Sequence, residues 1–299
     1  MEQGPAIIAD VIALAVGACV GSFAVTMAYR LPRDISIVTP RSFCESCERP
    51  VPWWANVPIF AYLASRGRCL MCGAPIRVRH LGGELTLALA ALYLYVNFPL
   101  GDAIARFIFI TLLLISSLVD YDWRLIPNLI TFPGVPVGLV LAALLMPEVG
   151  WRDSLIGIAV GGGVLFVTRY LYQLVRGQEG VGLGDVLLLA MVGAFIGWEG
   201  VLFTLFFGAL LGSFGGLLVG LFGTSAADPE LPPSEHASAA EAGAEASSSI
   251  DSQAPAGAAA ESEEHSLLTT AVPFGPFLSL AAGCYALFQP QLANWYLSR

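Results

Sequence analysis

Apolar residues fall in long runs along this chain, and polar residues collect in the gaps between them. Eight runs stand out, at roughly 6–28, 81–99, 103–119, 129–146, 152–174, 184–197, 199–223 and 268–290. Several approach the ~20 residues that a helix needs to cross a bilayer. Backbone in lipid must satisfy its own hydrogen bonds, so the runs are read as α-helices. The sixth run is short for a crossing and opens on "GVGLGD", which sets Asp185 at or just below the membrane edge. The pattern predicts an all-α polytopic membrane protein with about eight transmembrane helices.

Composition agrees. The chain is 56% apolar and 12% charged, with mean hydropathy +0.73, whereas a soluble domain carries about a quarter charged residues. All 14 basic residues are Arg, and eight of them lie between Arg30 and Arg79. Nine of the 23 acids fall between Asp228 and Glu264, so the net charge of −9 belongs to that one segment. The low pI reports one solvated loop and says nothing about substrate or partners; no nucleic-acid partner is expected. Residues 224–267 are mostly Ala, Ser, Pro and Glu, too poor in large apolar groups to offset the entropy of ordering, and read as a disordered acidic insertion. Its histidines His236 and His265 read as solvated.

The first residues are acidic and the arginines follow the first apolar run, so the start does not read as a cleavable signal peptide. The same asymmetry sets the N-terminus outside and Arg30 onward in the cytoplasm. Threading from there makes 29–80, 120–128, 175–183 and 224–267 cytoplasmic. The expected organisation is a first span (1–28), a cytoplasmic loop (29–80), a membrane bundle (81–223), the insertion (224–267) and a last span with the C-terminus (268–299).

Within the first loop, "CESC" and "CLMC" bring Cys44, Cys47, Cys69 and Cys72. Two Cys-x-x-Cys knuckles aim two thiolates each at one ion, the pattern of a tetrahedral zinc site. A pair of disulfides is the rival, but thiols in a cytoplasmic loop stay reduced. Four thiolates close the metal shell, so the role read here is structural: zinc folds a loop too small to hold itself together. Cys19 and Cys284 lie inside apolar runs and read as small buried hydrophobes.

Two acidic clusters frame the bundle on its cytoplasmic side. "SLVDYDWRLIPN" ends the third run with Asp120 and Asp122, and "GLGD" opens the sixth with Asp185. Alone, Asp185 fits a helix N-cap. Two aspartates at one depth suggest more, because a close pair does not ionise together and one keeps its proton. The ionised member activates water and its protonated neighbour donates to a peptide carbonyl. Asp122 competes with Asp120: two residues apart on a helix they stand about 200° apart. Other chemistries fit worse, since His80 is the sole His outside the insertion and no βαβ context surrounds the glycines.

Taken in order, "GSF" at Gly21, "YRLPR" ending at Arg33, "PRSFCESC", "NVPIFAYL" from Asn56, "GRCLMCGAPI", "VDYDWRLIPN", "GVGLGDV" and "FGPF" at Phe274 resemble the type IV prepilin leader peptidase / N-methyltransferase family, outside the insertion. The resemblance implies an aspartic endopeptidase of the bacterial inner membrane. Its dyad maps to Asp120 and Asp185, and it cuts the leader of prepilins or pseudopilins at the cytoplasmic face. It also implies N-methylation of the new terminus with S-adenosylmethionine, assigned to the cysteine loop. Three departures matter. Val25 stands where the family has Asn in "GSFLNV", "RHLGGE" at Arg79–Glu84 stands for "RYPLVE", and Leu187 replaces a Lys two residues after the catalytic Asp. The first two weaken the methyltransferase expectation; the third removes a cation beside the dyad and implies an altered pH optimum. A peptidase that has lost methylation, and a non-catalytic membrane scaffold of a pilus or secretion assembly, stay as alternatives. Glu84 is a candidate functional carboxylate, and the methyl-donor pocket is not placed by the sequence.

Overall fold

The structure, a computed structural model, describes residues 3–177, 182–222 and 274–297. The acidic insertion with His236 and His265, and the start of the last expected span, lie outside the described residues. The described chain is helical: α1 (Gln3–Arg30), α2 (Phe60–Ala64), α3 (Val78–Asn97), α4 (Leu100–Trp123), α5 (Asn128–Leu145), α6 (Gly150–Arg176), α7 (Leu183–Phe222) and α8 (Gly275–Leu297), with two short 3₁₀ turns in the first loop. Among the described residues the only extended pairings are two isolated bridges, Phe43 with Pro50 and Arg68 with Pro75. Contacts divide the chain into Met1–Ser213 with Pro273–Arg299, and Phe214–Val272, whose described part is the end of α7.

Among the described residues five helices, α1 and α4 to α7, are long and apolar enough to cross a membrane by length and composition. α7 contains 40 residues, or about 60 Å of helix, twice a hydrocarbon core. It is interrupted at Gly197, where φ is 71° and ψ −177°, a conformation that glycine adopts without steric cost. The break falls where the apolar pattern separates its sixth and seventh runs.

Two packed cores meet along α4. One joins α1, α3 and α4 through Ala24, Ala28, Leu87, Leu94, Ile115 and Val119. The other joins α4, α7 and α8 through Phe109, Leu113, Leu189, Phe195, Leu278 and Ala282, with the Phe109 and Phe195 rings stacked at 4.8 Å. Helices do not associate in lipid by apolar burial alone, so close backbone approach at small residues carries the packing. Gly17 and Gly21 of α1 form one such pair: a Cβ on them would stand 2.5 Å from the Leu87 carbonyl and 2.6 Å from the Glu84 Cα. Gly157 and Gly161 of α6 form the second, pressed onto the Gly193 and Leu189 carbonyls of α7. Neither GxxxG pair was singled out by the sequence reading.

A fully buried cation fixes α4 against α8. Arg106 donates to Asp102 at 2.8 Å and to the Ala286 carbonyl at 2.7 Å, and its guanidinium lies 4.4 Å from the Phe98 ring centre. A charge buried among apolar helices persists only when paired in this way. Fourteen residues further along α4 stands Asp120, which also meets α8.

Candidate functional site

Asp120 lies in the last turn of α4 and is 6% exposed. One carboxylate oxygen, Oδ2, accepts the Gly275 backbone N–H at 2.9 Å. Gly275 opens α8 within "FGPF", and a Cβ there would stand 2.5 Å from that oxygen. The donor therefore has to be glycine, for space rather than for φ. α4 ends on Arg124, whose φ of 53° turns the chain left-handed and whose N–H closes on the Asp120 carbonyl at 2.8 Å.

Asp185 lies in the first turn of α7, partly buried. Its carboxylate accepts the Gly182 backbone N–H, and the charge of Asp120 acts directly on it. Gly184 sits against Ile126, with 2.8 Å left for a Cβ; the glycine lets the start of α7 close onto the segment that follows α4. The sequence-predicted pair Asp120 and Asp185 is thus brought together where α4 ends and α7 begins. Asp122 is not part of that pair. It turns away to form a short ion pair with Arg79 of α3, as the 200° separation on the helix requires.

The four cysteines also come together, their Sγ atoms all within 4.8 Å of one another. All six cysteines of the chain are free thiols, so no disulfide pairs the knuckles, and Cys19 and Cys284, expected to be buried, are exposed on the apolar helices α1 and α8. Each knuckle is a tight turn closed by backbone bonds: Cys44 N–H to the Arg49 carbonyl at 3.0 Å, and Cys69 N–H to that of Ala74 at 2.8 Å. The residue after each second cysteine is left-handed, Glu48 at φ 55° and Gly73 at φ 73°. The Met71 and Cys72 backbone N–H groups pull the Cys69 thiol down to about 6. Against the lowering pull of the Ala74 backbone N–H, desolvation and the neighbouring sulfurs push Cys72 up to about 11, so Cys69 is the one readied as a thiolate. Cys44 and Cys72 sulfurs stand 3.9 Å apart, and tetrahedral zinc with Zn–S near 2.3 Å implies about 3.8 Å between ligand sulfurs. The donor set fits zinc.

Between the knuckles and the adjoining ends of α1 and α3 lies a cavity of about 430 Å³. Ser22 and Thr26 of α1, Glu84 of α3, and Glu45, Tyr62 and Arg68 of the loop line it. Glu84 is buried and its Oε2 accepts the Ile59 N–H at 2.6 Å. Ile59 has φ 63° and ψ −55°, a strained position for a β-branched residue, so the carboxylate holds "NVPIFAYL" in a shape it would not keep alone. Glu45 sits between Cys44 and Cys47 and faces Arg77, Arg79 and His80. His80 beside it holds its carboxyl below the usual range, with Arg77 and Arg79 adding to the effect against the opposing cost of burial.

Two of the departures noted in the sequence touch each other. Val25 is 1% exposed, and a Cβ on Gly83 would run into its methyl group. Val25 of α1 occupies the space that a side chain at position 83 of α3 would need, so the two departures are in direct contact. Sequence reasoning missed Arg79 and gave Gly275 no role; "FGPF" was visible only as part of a resemblance.

The chain belongs to the type IV leader peptidase family. Residues 107–217 match the model of the Type IV leader peptidase family, and residues 15–98 match that of the Bacterial Peptidase A24 N-terminal domain. A prepilin leader peptidase/N-methyltransferase of Myxococcus xanthus is 32% identical over 93% of this chain and 90% of its own length. Proteins of the same name from Pseudomonas putida and Aeromonas hydrophila are 33% and 29% identical, over 71% and 88% of this chain and 80% and 77% of theirs. No solved structure matches the chain.

Proposed function

We propose that the protein is a bifunctional prepilin leader peptidase and N-methyltransferase. Asp120 and Asp185 form the peptidase dyad, and the cysteine loop with its cavity carries methyl transfer. The observation that carries the first half is the meeting of Asp120 and Asp185, each fixed by a glycine N–H, while Asp122 is engaged by Arg79. The relatives' names support both activities.

In the peptidase step one carboxyl is ionised and takes a proton from water as that water attacks the scissile carbonyl. The other, protonated, donates to the carbonyl oxygen, and the proton passes to the leaving amine as the tetrahedral intermediate collapses. The Gly275 N–H holds Asp120 in one orientation throughout, which keeps the water-binding geometry from having to form anew in each cycle.

For methylation, S-adenosylmethionine supplies the methyl group as an activated sulfonium. The cavity offers room; five arginines line it, and among them Glu84 and Glu45 are the carboxylates that can face a cationic donor or the amine of a new N-terminus. Glu84 shapes the wall by holding Ile59. Zinc at Cys44, Cys47, Cys69 and Cys72 folds the roof of that cavity. The membrane reading that goes with this is eight crossings, the break at Gly197 dividing α7 into two. The N-terminus is then outside, and both sites face the cytoplasm at the bacterial inner membrane.

The test is mass spectrometry of a prepilin-type substrate incubated with the purified protein and S-adenosylmethionine. A product cut before its hydrophobic helix and heavier by one methyl at the new N-terminus is expected. A cut product that never gains a methyl would leave a peptidase alone; an uncut substrate would sink the proposal.

A further inference from the structure

We propose that Arg79 and Asp122 are positioning residues for the peptidase, a tie through which the cysteine loop sets the pose of Asp120. The inference rests on Asp120 acting in cleavage. Three observations carry it. Asp122 lies two residues beyond Asp120 in the last turn of α4, and that turn ends at once in the left-handed Arg124. A helix end has unsatisfied carbonyls and frays first. Asp122 is nevertheless anchored, because its carboxylate accepts from Arg79 Nη1. Arg79 has buried Nε and Nη2 atoms without hydrogen bonds, so Asp122 is the partner that holds its guanidinium.

The third observation lies on the far side of Arg79. Its Nη2 stands 3.9 Å from Glu45, which Arg77 and His80 also face at 3.4 Å and 3.7 Å. Glu45 is bracketed by Cys44 and Cys47. A continuous set of charges therefore runs from the first knuckle through Arg79 to the end of α4, where Asp120 on the opposite side of the same turn meets Gly275. Drawing Asp122 toward Arg79 rotates Asp120 toward α8; releasing it lets the last turn unwind and the dyad drift. A shift of about 1 Å in a reacting group costs on the order of 100-fold in rate.

The test compares cleavage by the full-length protein carrying Arg79→Ala, Asp122→Ala, the exchanged pair Arg79→Asp with Asp122→Arg, and Asp120→Asn. Each Ala variant is expected to lower kcat by about 10-fold or more with KM changed by less than about threefold, the signature of lost positioning rather than lost binding. The exchanged pair restores part of kcat, because the ion pair between positions 79 and 122 is remade while the carboxylate introduced at position 79 faces Glu45. Hydrogen exchange on the same samples is expected to quicken at amides 118–126 alone, with metal content unchanged. Wild-type kcat in both Ala variants beside an inert Asp120→Asn would overturn the tie and leave the dyad standing. Global loss of protection in the Ala variants, or an exchanged pair no better than they are, would reduce the residues to fold stability and overturn it too. Normal cleavage by Asp120→Asn would remove the premise itself.

Discussion

Between Leu31 and Arg77 the chain buries a single residue, Gly67, whereas every residue from Leu188 to Gly197 behind Asp185 is buried. The cysteine loop keeps its shape through turn hydrogen bonds, a clasp of Arg30 on the carbonyls of Ser36, Ile37, Pro40 and Arg41, and, in the proposed reading, ligation of one ion by its four cysteines. The carboxylate site keeps its shape because helices approach at glycines, Gly275 against Asp120 and Gly184 against Ile126. The first region depends on chemistry that can be removed with a chelator. The second depends on packing, which only substitution disturbs. A two-activity protein built this way has sites that fail for different reasons, joined at Arg79.

The comparison breaks most visibly at the metal. Cys44→Ser with Cys72→Ser should release zinc and unfold the loop, since structural zinc contributes on the order of 10 kcal/mol to such domains. Methylation should then vanish, while cleavage falls only as far as the tie through Arg79 carries the disorder. Metal content and the two activities measured on one preparation check this. Equal loss of both activities would mean that the loop and the bundle do not fail separately.

At the other site, Gly275→Ala puts a methyl group against the Asp120 carboxylate and should cost about 100-fold in cleavage through misplacement, with methylation of a pre-cut peptide spared. Replacing Gly161 by Leu tests the bundle without touching either carboxylate. It should destabilise by about 3 kcal/mol or more, because the backbone of α7 has to give way, and thermal unfolding in detergent reads it. The smallest effect is expected where Val25 meets Gly83: Val25→Asn buries an amide beside Gly83 and should cost about 1–3 kcal/mol if that amide finds no partner. A stability unchanged by Val25→Asn would mean the two departures are unrelated.

How much of this was legible in the sequence follows the same division. The cysteines announce themselves because a knuckle is local: two residues lie between its thiols, and the turn that closes it is written in the next four positions. The pairing of α4 with α7 was legible as a coincidence of side and depth. The choice between Asp120 and Asp122 was open, because hydropathy does not fix the rotation of a helix end; the contacts that separate the two, Gly275 with Asp120 and Arg79 with Asp122, come from residues distant in sequence. The departures at Val25 and Gly83 looked independent for the same reason, being 58 positions apart yet in contact. The break at Gly197 was readable as a gap between apolar runs, whereas the two GxxxG pairs were overlooked although their spacing was in plain view.

The central claim is that Asp120 and Asp185, and not Asp122, form the peptidase dyad. Cleavage of a prepilin-type substrate by Asp120→Asn, Asp122→Asn and Asp185→Asn tests it most directly. The first and third should lose at least about 10³-fold in kcat, as members of one catalytic unit do. Asp122→Asn, which keeps an acceptor for Arg79, should stay within about tenfold of wild type. An inert Asp122→Asn beside an active Asp120→Asn would contradict the account, as would three variants that all cut normally.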